Sequence, residues 1–253
     1  MNQLIPALIL AFLFNTACST SGNKSLSDEE KSKIYLESAA GSLNYGDTTS
    51  ALKQLLEAEK LDSDNHEIAY LLALTYHQKN ENELAIRAAK KAIQLAPDFS
   101  PAKNTLGKLL MDRQDLNGAE KLLKEAATDL TYRESYLSKT NLGLLYSKKN
   151  NPVEAEIWFS KAIHEAGNAS CIASYYRGKM RLEKNELNSA KDDFKRASGS
   201  VCANYTEAHL ALGTTLMRMK QFSQAKAKFI EIQQLFPSTD AAEKANQYLK
   251  EIQ

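Results

Sequence analysis

Proline and glycine are scarce, 5 and 10 residues in a chain of 253. That scarcity excludes a collagen-like chain and argues against a turn-rich β sandwich. An excess of charge is missing too: 32 Lys and Arg face 31 Asp and Glu, leaving a formal charge of +1. With no basic excess to neutralise phosphates, a general nucleic-acid binder is disfavoured. A mean hydropathy of -0.44 excludes a polytopic membrane protein. Three cysteines are too few to frame a disulfide scaffold. What the chain does have is 43% apolar residues and abundant Ala, Leu, Lys and Glu, enough for a core built from long helices. The length allows one or two domains, and an all-α protein is expected.

The apolar run Leu4 to Phe14 holds eleven residues, short of the about 20 a membrane-spanning helix needs. It reads as an export signal over residues 1–17. Asn15-Thr16-Ala17-Cys18 resembles the lipobox of bacterial lipoproteins, in which a peptidase cuts ahead of a diacylated cysteine. That resemblance makes Cys18 the lipidated first residue of the mature chain. Ordinary signal cleavage and an uncleaved anchor are the alternatives. Ser19 resembles the residue found after the cysteine in lipoproteins sorted to the outer membrane. Residues 18–27 then form a flexible tether, and two or three acyl chains would hold the protein durably where one would not.

Beyond the tether the chain repeats itself. Ala51, Ala85, Ala119, Ala155, Ala190 and Ala225 follow one another at intervals of 34, 34, 36, 35 and 35 residues, the tetratricopeptide period. About thirteen residues before the alanine stand Leu72-Ala73, Leu106-Gly107, Leu142-Gly143 and Leu212-Gly213, with Ser38-Ala39 and Arg177-Gly178 as departures. Four residues after it come Leu55, Ala89, Leu123, Phe159, Phe194 and Phe229, and three further on Ala58, Ala92, Ala126, Ala162, Ala197 and Ile232. Small residues at the crossing let two helices approach, and Leu or Phe one turn away fills the space between neighbours. Pro97 and Pro237 stop the second helices of repeats 2 and 6. The expected fold is a right-handed solenoid of six helix-turn-helix repeats over residues 28–237. A capping helix over 238–253 follows, with Ser238, Thr239 and Asp240 as candidate N-caps.

Cys171 opens the first helix of repeat 5 and Cys202 follows the second. Antiparallel helices bring those two ends together, so a disulfide is plausible if the Cα atoms come within about 7 Å. It would suit a chain exported to an oxidising compartment. Two free buried thiols are the alternative.

No catalytic set emerges. His66 and His77 lie on nearly one helix face but eleven residues apart, about 16 Å along the axis, and His164 and His209 stand alone. No metal site, cofactor motif, P-loop or nucleophile elbow is present, so neither an enzyme nor a cofactor is expected. What remains is a surface. Projecting groove positions of the first helices gives Tyr70, Leu74, His77, Asn104, Lys108, Met111, Thr140, Leu144, Tyr175, Lys179, Leu182, Leu210, Thr214 and Met217. This is an aromatic, Met and Leu strip suited to an extended or helical peptide. The Lys/Asn/Arg clamp that some cytosolic tetratricopeptide proteins use for C-terminal carboxylates is not assembled.

A lipobox-like N-terminus, six repeats, a terminal helix and cysteines bracketing repeat 5 together resemble the type IV pilus biogenesis and stability lipoproteins, the PilF/PilW family. The resemblance implies a monomeric pilotin: a non-enzymatic lipoprotein facing the periplasm from the outer membrane, which binds secretin subunits and promotes their targeting and multimerisation. A general periplasmic adaptor for cell-wall enzymes or outer-membrane assembly machinery is the other class to weigh.

Overall fold

A computed structural model describes residues 25–252. The signal sequence, Cys18 and most of the tether lie outside the described residues. The described chain is helical throughout and has no strand. Thirteen α-helices follow in order: α1 Asp28–Asn44, α2 Thr48–Leu61, α3 His66–Gln78, α4 Asn82–Leu95, α5 Ser100–Asp112, α6 Leu116–Thr128, α7 Ser135–Lys148, α8 Pro152–Ala166, α9 Cys171–Glu183, α10 Leu187–Ala197, α11 Thr206–Arg218, α12 Phe222–Leu235 and α13 Asp240–Glu251. Consecutive pairs from α1/α2 to α11/α12 form six antiparallel hairpins that stack as a tetratricopeptide solenoid, closed by α13.

Local chemistry explains where the helices begin and end. Ser27 caps α1 through a reciprocal box: its Oγ accepts from the Glu30 N–H at 3.2 Å, and its own N–H donates to Glu30 Oε2 at 2.7 Å. Each first helix ends at a residue with positive φ: Gly46, Asn80, Gln114, Asn150, Asn185 and Lys220. The next residue's N–H reaches a carbonyl five positions back, as from Glu81 to Tyr76 and from Asn151 to Tyr146. That closes a Schellman turn on otherwise orphaned carbonyls. Three of the six turn residues are asparagine, which tolerates the left-handed region better than other side chains bearing a Cβ.

Within each hairpin the alanine ladder is sealed: Ala51, Ala85, Ala119, Ala155, Ala190 and Ala225 are all fully buried. Opposite the glycines of the first helices sit the large side chains of the second. A Cβ added at Gly143 would lie 2.5 Å from the Phe159 ring, and one at Gly213 2.4 Å from Phe229. Where the first helix carries Ala73, the second answers with Ala89. The volume at the crossing is thus divided differently between the two helices from hairpin to hairpin.

Repeat 5 departs from this scheme. Arg177 and Arg181 occupy positions that are apolar in most other repeats, and Asp193 of α10 is buried against them. Cys171 and Cys202 are bonded, with Cα atoms 5.5 Å apart, tying the start of α9 to the short turn after α10.

Candidate interaction groove

The first helices line one continuous face. Of the fourteen projected positions, Lys108 and Lys179 are exposed, and Tyr70, Leu74, His77, Asn104, Leu144, Tyr175, Leu182, Leu210, Thr214 and Met217 are half-buried. Met111 and Thr140 do not reach this face. Met111 is only 3% exposed because repeat 4 covers it: it packs in one cluster with Leu142 and Leu145. Thr140 is 6% exposed, and its hydroxyl donates back to the Tyr136 carbonyl at 2.8 Å. Both belong to the core.

At the N-terminal end the groove opens into a cleft of about 510 Å³. Leu36 and Ala40 of α1, Tyr70 and Leu71 of α3, and Phe99 form its apolar wall, and Glu29, Glu37, Asp62, Glu67 and Lys33 lie at its polar margin. Phe99 takes Tyr70 edge-on at 5.3 Å and His66 at 4.8 Å, an arrangement favoured by the ring quadrupoles. Burial pushes the phenols of Tyr70 and Tyr132 up from their ordinary value, so both stay neutral hydrogen-bonding groups.

A second aromatic cluster stands further along. Tyr175 lies 5.3 Å from Tyr176 and 5.0 Å from Tyr205. Lys179 Nζ is 5.8 Å from the Tyr175 ring and 5.7 Å from the Tyr176 ring, within cation–π range. Between the clusters is a polar station. Ser138 Oγ donates to Asn104 Oδ1 at 3.0 Å, and Asn141 Nδ2 donates to the same oxygen at 2.9 Å.

Phe99, Tyr132 and Tyr205 are absent from the helical projection because they come from connections between repeats. The signal available for them was an aromatic residue placed between two helices. Asn141 lies beside Thr140, one position from where the projection looked.

Among the described residues no three His, Cys, Asp or Glu side chains are grouped to hold a metal ion. No helix there is long and apolar enough to cross a membrane. His209 is buried, with Nε2 2.9 Å from the Ala203 carbonyl and Nδ1 without a partner. Burial holds its pKa below the ordinary histidine value, so it stays neutral.

A tetratricopeptide repeat family model matches residues 43–98 and 104–170. The type IV pilus assembly protein PilF of Pseudomonas aeruginosa is 24% identical over 234 residues, covering 88% of this chain and 90% of that protein. The solved structure of P. aeruginosa PilF superposes with a TM-score of 0.72 at 19% identity, covering 87% of this chain and 99% of that one. PilW, a type IV pilus biogenesis factor, gives a TM-score of 0.72 at 19% identity, covering 84% and 97%. The structural likenesses show the shared solenoid, and the sequence relative extends along nearly all of it. The chain is thus a PilF-like tetratricopeptide-repeat protein, homologous to PilF over 88% of its length.

Proposed function

We propose that this protein is a pilotin of type IV pilus biogenesis: a non-enzymatic outer-membrane lipoprotein, anchored through Cys18, whose groove holds secretin subunits on their way to assembly. The observation that carries this is the likeness to PilF across 88% of the chain, with the lipobox-like residues Asn15-Thr16-Ala17-Cys18 ahead of the solenoid. The division of labour is physical. Acyl chains on Cys18 supply membrane affinity, which needs more than one chain to be durable. The groove supplies recognition, its apolar cleft and aromatic clusters covering client surface that would otherwise self-associate.

Deleting the gene is expected to reduce secretin multimers and surface pili. Cys18→Ala is expected to leave the secretin in the wrong membrane while the protein itself still folds. The measurements are membrane fractionation and immunoblotting of heat-resistant secretin multimers. Normal multimers and pili in the deletion strain would refute the proposal and favour a general periplasmic adaptor.

A further inference from the structure

The formal charge of +1 conceals a gradient along the solenoid. Residues 25–98, leading into and through repeats 1 and 2, hold 13 Asp and Glu against 8 Lys and Arg. Residues 177–230, in repeats 5 and 6, hold 11 Lys and Arg against 5 Asp and Glu. Part of that basic surplus is internal: Arg177, Arg181 and Lys184 pair with Asp193 and Glu156, and Lys228 pairs with Glu231. Lys195 of α10 and Lys226 of α12 are exposed and join no salt bridge among the described residues.

The free lysines share the outward faces of the second helices with apolar side chains. On α12, Phe222, Lys226 and Ile230 follow at intervals of four and so lie along one stripe. On α8, Val153, Ile157 and Lys161 do the same. Val153, Ile157, Phe222 and Ile230 are all exposed, whereas α4, α6 and α10 carry no exposed large apolar residue. Apolar side chains interleaved with lysine suit the head-group region of a bilayer, where the former enter the acyl boundary and lysine stems reach back to the phosphates. The acidic first repeats are repelled by the same surface, which leaves the contact to repeats 4–6. We infer that the convex face of repeats 4–6 lies against an anionic phospholipid surface. The groove, on the opposite face of the solenoid, is thereby turned away from the bilayer and left open to a client. The contact does not require acyl chains on Cys18, although an anchor there would raise the local concentration of a weakly bound face.

The test uses the mature chain with Cys18→Ser, free of acyl chains, and vesicles of phosphatidylcholine with and without phosphatidylglycerol. Co-sedimentation is expected only with phosphatidylglycerol, and it should weaken as salt is raised. Lys195→Gln and Lys226→Gln are each expected to lower the partition coefficient about fivefold, and Phe222→Ser about tenfold. Lys108→Glu, on the groove face, should leave it unchanged. Trp158, the chain's one tryptophan, lies on α8 with Lys161 Nζ 4.1 Å from its ring centroid. Brominated phosphatidylglycerol should therefore quench its fluorescence in the bound protein, a readout that needs no further variant. Circular dichroism melts check that the variants fold. No sedimentation with phosphatidylglycerol, partition that ignores salt, a loss from Lys108→Glu as large as that from Lys226→Gln, or bound protein with unquenched Trp158 would overturn the inference. The assay contains neither acyl anchor nor secretin, so its outcome is separate from that of the pilotin proposal. Normal secretin multimers in the deletion strain would sink the pilotin reading and leave the lipid-facing surface standing.

Discussion

The guanidinium of Arg177 clamps the carboxylate of Asp193 through two hydrogen bonds, Nε to Oδ2 at 2.9 Å and Nη2 to Oδ1 at 2.5 Å. Arg181 adds a third at 2.9 Å to Oδ2, and Arg177 also donates to Ser160 at 3.0 Å. Arg181 and Lys184 then reach Glu156 of α8 at 3.3 and 2.6 Å. Repeat 5 is thus joined to repeat 4 by a partly buried ionic network centred on Asp193 and Glu156.

Removing one member of such a network is worse than removing all of it, because the survivors stay desolvated and unpaired. Asp193, 1% exposed, is the member shared by both arginines. Asp193→Ala should destabilise the protein by about 3 kcal/mol or more. The triple change Arg177→Leu, Arg181→Tyr, Asp193→Ala should be neutral or stabilising, by up to about 4 kcal/mol. Urea unfolding of both variants checks this. A triple variant weaker than the single one would show that the charges contribute more than they cost.

The disulfide should act locally. Closing a loop of this size is worth about 3 to 4 kcal/mol in the chain-entropy model, an upper figure. A solenoid passes stability only between neighbouring repeats. Reduction, or Cys171→Ser with Cys202→Ser, should therefore raise hydrogen exchange in α9, α10 and α11 and leave α3 to α5 protected. Uniform acceleration along the chain would mean the array unfolds as one unit.

How much could be read in advance depended on the range of the interaction. The alanine ladder and the glycines facing Phe159, Phe194 and Phe229 were legible because a close helix crossing fixes residue size at fixed spacing. Arg177 stood out as a departure. Asp193 did not, because a buried acid and a solvated one look alike until α8 and α9 are packed beside α10. The groove followed from helical position only where stacking leaves it open. Met111 was misplaced because repeat 4 closes over it, and Phe99, Tyr132 and Tyr205 were missed because no helical period fixes a residue in a connection.

The glycines opposite the aromatic rings are a packing requirement. At Gly143 an added methyl would meet the Phe159 ring at 2.5 Å, and overpacking of this kind costs about 1–3 kcal/mol. Gly143→Ala should lower the melting temperature, and adding Phe159→Leu should restore part of the loss, since repeat 1 pairs Ala39 with Leu55. No recovery in the double variant would show that backbone spacing, rather than ring volume, is limiting.

Acid should weaken the junction between repeats 3 and 4. Glu120 accepts from Lys124 at 2.6 Å, Lys149 at 2.5 Å and the Tyr146 hydroxyl at 2.8 Å. Those partners hold its carboxyl down at about 2, against an ordinary 4.5. A folded pKa below the unfolded one means that the unfolded chain takes up the proton first as pH falls. The stabilisation is therefore full above about 4.5 and disappears toward about 2. The urea midpoint of Glu120→Gln should lie below that of the unaltered protein at pH 6, and the gap should narrow steadily at pH 4 and pH 3. A constant gap would assign the loss to packing or geometry instead of charge.

The distinction between groove and core also predicts opposite behaviour for two neighbouring apolar residues. Leu144 is half-buried on the groove face, whereas Met111 is enclosed beneath repeat 4. Leu144→Asp places a charge where a client's apolar surface would lie, and because Leu144 also rests against the cluster of Leu142 and Leu145 it should cost about 1 kcal/mol of stability as well. Met111→Ala opens a cavity and should cost about 2–5 kcal/mol. On the pilotin proposal, Leu144→Asp should lower secretin multimers in cells by more than any loss of protein accounts for, and Met111→Ala should lower them only in proportion to lost protein. If Leu144→Asp leaves multimers at their normal level, the client does not touch the concave face at repeat 4, and the convex surface becomes the next place to look.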